Sequence, residues 1–314
     1  MTEEPREAAR PAPKPRTPLW LRVLRIALLL GLIPIAMKIL GVGERLFYWP
    51  SRGAFETPAG VEDVYFESEG LRLHGWFYRA TDADPGEVRP VVVHAHGNAF
   101  NISRHDVFTD FLANEGFHVL IFDYRSYGRS ERGPLNRDGL VHDALAAVEY
   151  ARGRPDTDPD RVGLYGLSLG GTIALAAGAE DQRVAAVCSV ATFSRWKRIA
   201  NGYVPLLGNW LIRDGRDAEE SVTRLGDRPL LLLHGTDDEI VPFAHGPMIR
   251  DAALAAGARV EFREFEGAGH VDWVDSEPAM REAIAAFFTE HLRPKTAAGG
   301  EAQEKGVGPS DPTP

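Results

Sequence analysis

Residues Val162–Gly171 read VGLYGLSLGG, a short apolar run that passes at one serine, Ser168, into a segment rich in glycine and alanine. The run before the serine, RVGLYG, is typical of a buried strand, and GGTIALAAGA after it is typical of a helix. So tight a reversal holds the serine in a strained backbone conformation, and Gly166 and Gly170 let neighbouring chain approach closely. This G-x-S-x-G spacing is the nucleophile-elbow pattern, which needs an acid and a base as partners.

The composition limits the class of protein. The chain has 314 residues, of which 44% are hydrophobic and 25% charged, enough for the core of one large domain. A net charge of -10 argues against a nucleic-acid partner, because phosphate binding needs clustered lysine and arginine. The single cysteine, Cys188, lies in the apolar run AAVCSV, which indicates a buried thiol and argues against a disulfide framework or a multi-cysteine metal site.

Both ends of the chain lack the large apolar side chains that a folded core needs. Residues 1–18 are rich in proline, glutamate and arginine, and residues 294–314 are rich in glycine, proline, alanine and glutamate. Neither segment offsets the conformational entropy lost on ordering, so both are predicted to be disordered tails.

Residues 19–42 form an apolar segment with basic residues near its ends, which predicts a helix that anchors the chain in a membrane. A cleaved signal peptide is less favoured, and a surface helix on the domain or on a bilayer is the other alternative. Basic residues are denser before the segment than after it, which predicts a cytoplasmic N-terminus and a catalytic domain on the non-cytoplasmic side. Residues 43–60 are predicted to be a linker to a domain at 61–293 that folds without the anchor.

From Val61 onward, strand-like and helix-like stretches alternate. VEDVYFES and LRLHGWFYRA show period-two alternation and predict an antiparallel pair, whereas later runs such as PVVVHAHG and PLLLLHG suit strands that are buried on both faces. The pattern predicts an α/β fold with a mostly parallel, doubly wound sheet and helices on both faces. In such a sheet the functional groups lie beyond the carboxyl ends of the strands.

Two candidate partners for the serine follow predicted strands directly. Asp237 and Asp238 come after PLLLLHG, and His270 comes after RVEFREF. A serine hydroxyl must lose its proton as it attacks, which a nearby histidine accepts, and a carboxylate orients that histidine. The order serine, acid, histidine is that of the α/β-hydrolases.

The segment from about Val61 to Arg293 resembles an α/β-hydrolase, and several stretches resemble the membrane-anchored α/β-hydrolase domain-containing 13 and 17 and Bem46-like serine hydrolases. The resemblance is carried by FYWPSRG, VYFESEGLRLHGWFYRA, HAHGNAFNISRH, FDYRSYGRSER, GLYGLSLGGTIAL, LLLHGTDDEIVP and GAGH. It covers about three quarters of the chain and includes the stretch that follows the apolar segment.

The resemblance implies a role for each matching residue. Ser168 would be the nucleophile, His270 the base, and Asp238 the acid, because the pattern G-x-x-D-x-x-V-P selects it over its neighbour. The backbone N–H groups of Leu169 and Asn98 would form the oxyanion hole. No cofactor is implied.

The chain departs from the family pattern at two loops that border the expected site. Phe100 stands where HGNAGN has its second glycine, and Ser126 stands where DYRGYG has a glycine. A further segment, 194–227, interrupts the alternation and predicts a small lid. Its apolar residues would bind an acyl chain, touch lipid or pack on the sheet: Trp196, Tyr203, Leu206, Leu207, Trp210 and Leu211.

These observations predict a serine hydrolase that cleaves an ester or thioester of an acyl or lipid-like substrate through an acyl-enzyme. A peptidase of the same fold and a non-catalytic binding protein on a hydrolase fold are the alternatives. The spacing His94-x-His96 suggests a metal pair, but no third ligand has suitable spacing, so no metal is predicted. The sequence specifies neither the head group of the substrate nor the oligomeric state.

Overall fold

The structure is a computed structural model that describes residues 17–39, 42–205, 208–270 and 278–293. Almost all of the two predicted tails lies outside these ranges. So do Leu206 and Leu207, two of the residues predicted to line the lid.

An eight-stranded sheet forms the centre of the domain, in the order β10-β9-β8-β7-β4-β6-β3-β2. Strands β2 and β3 are the predicted antiparallel pair, β3 also runs antiparallel to β6, and every other neighbour is parallel. A separate short pair joins β1 to β5. The strands are β1 Trp49–Pro50, β2 Glu62–Ser68, β3 Leu71–Tyr78, β4 Arg89–Ala95, β5 Ala99–Phe100, β6 His118–Phe122, β7 Thr157–Leu167, β8 Ala186–Val190, β9 Leu230–Gly235 and β10 Val260–Phe265.

Helices connect the parallel strands and cover both faces of the sheet. Alternate residues of one strand face opposite ways, so Val91 and Val93 of β4 join one hydrophobic cluster while Val92 joins the other. The helices are α1 Leu19–Ile39, α2 Val42–Phe47, α3 Phe111–Asn114, α4 Arg137–Arg152, α5 Leu169–Glu180, α6 Trp196–Tyr203, α7 Gly208–Leu211, α8 Ala218–Ser221, α9 His245–Ala255 and α10 Pro278–Leu292. Helices α4, α5 and α9 pack in the first cluster, and α3 and α10 pack in the second. The predicted doubly wound α/β fold is confirmed.

The apolar segment near the N-terminus forms helix α1, and its apolar side chains are exposed along its length. None of the helices in the described ranges combines the length and the apolar character needed to cross a membrane. The membrane span predicted for residues 19–42 is therefore not supported.

Residues 43–60, predicted to be a linker, pack on the domain in the structure. Tyr48 is buried in the first hydrophobic cluster. The ring of Phe47 lies edge-on to Phe193 and Trp196, with centroid separations of 6.0 and 5.3 Å. Strand β1 follows and pairs with β5. Burial of large aromatic rings is favourable, which holds this part of the segment against the domain.

Candidate active site

Ser168 occupies the junction between β7 and α5 with φ 56° and ψ -117°, a left-handed conformation that side chains rarely adopt. Its N–H donates to the Val190 carbonyl at 2.8 Å, which ties the turn to the neighbouring strand. A Cβ on Gly166 would overlap the Gly170 carbonyl, and one on Gly170 would overlap the Ala95 carbonyl. Both glycines are therefore required by close packing, as expected for a nucleophile elbow.

The two adjacent aspartates after β9 lie in different environments. Asp238 is buried, and its Oδ2 accepts a hydrogen bond from His270 Nδ1 at 2.7 Å. Its Oδ1 accepts from the N–H groups of Ile240 and Val241 at 2.9 and 2.7 Å. Asp237 is exposed, and its Oδ1 accepts a hydrogen bond from the Thr236 hydroxyl at 3.2 Å. The geometry therefore pairs Asp238, and not its neighbour, with the candidate base.

Sequence reasoning missed a second histidine beside the acid. His234, at the end of β9, is buried, and its Nε2 lies 2.8 Å from the Val241 carbonyl and 3.3 Å from Asp238 Oδ2. Burial alone would raise the pKa of Asp238, but the hydrogen bonds from His234 and His270 outweigh it and hold that pKa well below its usual value. The acid is thus ionised at neutral pH. The only signal in the sequence was the histidine of LLLLHG, four residues before the aspartate.

Ser168 and His270 line the same cavity, of about 620 Å³, at the carboxyl ends of the strands. Helices α6 and α7, which belong to the segment predicted to be a lid, contribute to its lining. Of the described side chains predicted to bind an acyl chain, Tyr203 and Leu211 line it. Trp196 packs in the core instead, and Trp210 lies under the Lys38 ammonium, 5.3 Å from its ring centroid. Most other lining side chains are apolar: Phe47, Trp49, Phe100, Phe108, Leu167, Phe193, Ile199, Val204, Ile212, Ile240 and Val241.

The loop that carries the second candidate oxyanion donor is held from several sides. The Asn98 side chain donates to the Phe47 carbonyl at 2.6 Å and accepts from the Trp49 N–H at 3.3 Å. Its own carbonyl accepts from the Tyr127 hydroxyl at 2.9 Å, and His105 Nε2 donates to the next carbonyl along the loop at 2.8 Å. The segment predicted as a linker therefore fixes this loop.

Two backbone N–H groups of residues that line the cavity with Ser168 have no protein acceptor within the described residues. One belongs to Leu169, the first residue of α5, and the other to Asn98. The first N–H groups of a helix have no partner inside the helix, so Leu169 is a natural anion donor. An oxyanion hole needs backbone N–H donors of this kind, so the role predicted for these two groups stays a prediction.

The two departures from the family pattern have different structural consequences. Ser126 adopts φ 70°, and its hydroxyl donates to the Gly133 carbonyl at 2.9 Å, which stabilises the turn outside the cavity. Phe100 adopts φ 66° and lines the cavity. Only the second departure therefore changes the shape of the candidate site.

The histidines of His94-x-His96 are both buried. His94 stacks on Tyr165 at 4.5 Å, and His96 Nδ1 donates to the Gly97 carbonyl at 2.7 Å. Burial lowers the pKa of both imidazoles, so they are neutral. In the described part of the chain no cluster of three or more His, Cys, Asp or Glu side chains is arranged to hold a metal.

The fold and this site define an α/β hydrolase. The model of the prolyl oligopeptidase family matches residues 105–295, which is more than half of the chain. The chain belongs to this family of α/β hydrolases.

Curated relatives extend the similarity toward the N-terminus. The uncharacterized protein YfhR of Salmonella typhimurium is 34% identical over 290 residues, which cover 87% of this chain and 98% of YfhR. The protein bem46 of Schizosaccharomyces pombe is 29% identical over 280 residues, which cover 83% of this chain and 92% of bem46. The resemblance to Bem46-like hydrolases is confirmed.

Solved structures share the fold. The Pyrococcus furiosus esterase Pf2001 superposes with a TM-score of 0.65 at 18% identity, over 79% of this chain and 99% of the esterase. The Pyrococcus horikoshii acylaminoacyl peptidase superposes with a TM-score of 0.60 at 21% identity, over 77% of this chain and 43% of the peptidase. At these identities the likeness establishes the α/β-hydrolase fold and not the substrate.

Proposed function

We propose that the chain is a serine hydrolase that cleaves an acyl ester or thioester through an acyl-enzyme. One observation carries the proposal. Ser168, at its strained turn, and His270 line the same apolar cavity. The Nδ1 of His270 is hydrogen-bonded to the buried carboxylate of Asp238.

Each group has a role in this reaction. His270 donates a hydrogen bond from Nδ1 to Asp238, which leaves its Nε2 free of a proton. This Nε2 takes the proton from the Ser168 hydroxyl as the oxygen attacks the substrate carbonyl. The N–H groups of Leu169 and Asn98 stabilise the oxyanion, and loss of one such donor typically costs about 3 kcal/mol. His270 then protonates the leaving group. In the second half of the reaction His270 takes a proton from a water molecule, which attacks the acyl carbonyl, and returns the proton to the Ser168 oxygen as the acid departs.

The cavity supports an acyl substrate. Its volume of about 620 Å³ and its mostly apolar lining suit a hydrocarbon chain. Burial of such a chain releases about 0.8 kcal/mol per methylene group, so kcat/KM should rise with chain length until the cavity is full.

A peptidase is the second candidate, favoured by the fold shared with the acylaminoacyl peptidase. The two candidates differ in the leaving group, since an amine must be protonated before it departs. An N-acyl amino acid p-nitroanilide and a p-nitrophenyl ester of the same acyl chain separate them. We expect turnover of the ester and at most slow turnover of the anilide.

The nucleophile is tested with a fluorophosphonate probe, which labels an activated serine. Wild type should be labelled on the peptide that contains Ser168, and heat-unfolded wild type should not. Ser168→Ala should not be labelled, and its kcat on a short ester should be about 10⁴- to 10⁶-fold lower than that of wild type. Labelling of another peptide, or none in the folded wild type, would contradict the proposal.

We further propose that the chain attaches to a lipid surface through α1. Exposed apolar side chains line this helix, whereas surfaces of soluble domains rarely expose large contiguous apolar patches. Basic residues near its first turns, Arg22 and Arg25, suit anionic head groups.

A further inference from the structure

Phe100, a residue that lines the cavity, combines two unfavourable features. Its φ of 66° is a left-handed conformation that costs a bulky residue about 1–2 kcal/mol. Its ring lines the cavity yet stays 53% exposed, so its apolar surface is also left in water. Strain at a binding site is retained where it serves the ligand.

Arg104 lies beside this ring and also lines the cavity. Its guanidinium carbon is 5.7 Å from the Phe100 ring centroid, a cation–π distance, and its side chain is exposed. No carboxylate of the described residues lies within ion-pair distance of Arg104, and no Asp or Glu of the described residues lines the cavity. By contrast, Arg89, Arg125 and Arg129 each form ion pairs with carboxylates.

We propose that the substrate is an anionic amphiphile whose acyl chain enters the cavity and whose phosphate or carboxylate binds Arg104. The inference rests on the proposed function and specifies its substrate class. A guanidinium presents several N–H donors in a planar fork that matches the oxygens of both anions. Beside an apolar cavity this interaction is screened less than in open water.

Phe100 gives the cation a defined position. The ring restricts the guanidinium by the cation–π contact, so less side-chain entropy is lost when an anion binds. The glycine of the family pattern would leave the arginine without this support. The pair Phe100 and Arg104 is therefore a specificity element of this chain.

The inference is tested with two esters that differ only in charge, a monoacylglycerol and its 3-phosphate with the same acyl chain. Wild type should hydrolyse the phosphate with a kcat/KM about tenfold higher, the size of one charged hydrogen bond. Arg104→Gln should bring the ratio of the two values close to one, and Arg104→Lys should retain part of the preference. Arg72→Gln is the matched control, because Arg72 is exposed over the Tyr65 ring but lies outside the cavity.

A binding measurement does not depend on turnover. Ser168→Ala should bind dodecyl phosphate about tenfold more tightly than dodecanol, and the further change Arg104→Gln should remove the difference. Inorganic phosphate should compete weakly, since it lacks the chain. Competition by inorganic phosphate as strong as by dodecyl phosphate would mean a site for the free anion and would overturn the proposal.

The failures are distinguishable. Equal kcat/KM for the two esters, or a preference that survives Arg104→Gln, would overturn this inference and leave the serine hydrolase intact. Hydrolysis of neither ester, together with no fluorophosphonate labelling, would overturn the proposed function as well.

Discussion

Two neighbouring aspartates have opposite environments because the chain turns sharply after β9. The carboxylate of Asp238 points inward, where two histidines and two backbone N–H groups surround it. Asp237 points into solvent. A family pattern selected Asp238 from the sequence, and burial supplies the physical reason, since only a desolvated carboxylate fixes the imidazole strongly.

Asp238→Asn should lower kcat by about 10⁴-fold, because an amide favours the wrong tautomer of His270. Asp237→Asn changes the same functional group one residue away and should alter kcat less than about twofold, as expected for an exposed side chain. Steady-state hydrolysis of a short ester measures both. The reverse ranking would assign the acid to Asp237.

The short strand β1 helps to position the loop that carries Asn98. It pairs with β5 next to Asn98, and the Ser51 N–H donates to the Phe100 carbonyl at 2.9 Å. An oxyanion donor displaced by an ångström loses most of its effect. The N-terminal stretch is therefore expected to hold the proposed oxyanion donor in place.

A chain that starts at residue 42 should keep its activity on a short ester, because it retains α2 and β1. A chain that starts at Phe55 loses the contacts to Asn98 from Phe47 and Trp49, and its kcat should fall by about 10- to 100-fold. Far-ultraviolet circular dichroism shows whether both chains are folded. Equal activity would mean that the loop holds its position without β1.

The segment predicted to be a lid contacts α9 through a titratable side chain. His245 Nδ1 accepts a hydrogen bond from the N–H of Ser194, where the lid begins, at 3.0 Å. Burial, assisted by the positive charge of Arg198, lowers the pKa of His245 to about 4. The folded chain thus keeps this imidazole neutral at pH values where the unfolded chain binds a proton.

This shift makes stability depend on pH with a definite sign. Below a pH of about 6.5 the unfolded state takes up a proton that the folded state takes up only near 4, so stability falls as the pH drops through this window. The free energy of unfolding should fall by about 1–3 kcal/mol because of the titration of His245. His245→Gln should show a smaller difference in urea stability between pH 7 and pH 4.5 than wild type. An identical difference would mean that His245 titrates normally.

At the scale of the whole molecule, helix α1 contributes no residue to the hydrophobic clusters of the described domain. It leaves a band of apolar side chains exposed: Leu19, Trp20, Val23, Leu24, Ile26, Leu28, Leu29, Leu30, Leu32, Ile33 and Ile35. Near its C-terminal end, Lys38 lies over the ring of Trp210, in the segment predicted to be a lid. The location of the catalytic domain on the non-cytoplasmic side, predicted from the distribution of basic residues, stays a prediction.

The full chain should float with anionic vesicles in a sucrose gradient, and the chain that starts at residue 42 should remain at the bottom. Because apolar contacts are not screened, high salt should release little of it. Carbonate should release a helix that lies on the surface, and retention in carbonate would indicate insertion. Absence of flotation would contradict lipid attachment.

The elbow at Ser168, the α/β alternation and the order of the three candidate residues were readable from the sequence. Each of these features can be recognised within a short stretch of sequence: a local periodicity, a glycine next to a strained turn, or a residue that directly follows a strand. The apolar segment that forms α1 was also recognisable from composition, although its predicted span across a membrane was not supported.

The remaining features depend on contacts between residues far apart in the chain. His234 approaches Asp238 because of one loop conformation, and residues 47–51 clamp the Asn98 loop across about fifty positions. The position of Arg104 beside Phe100, in the lining of the cavity, likewise follows from a backbone conformation that no periodicity encodes. Period and composition determine which segments form strands and helices, whereas packing determines which side chains meet, because burial free energy depends on the partner and not on the spacing.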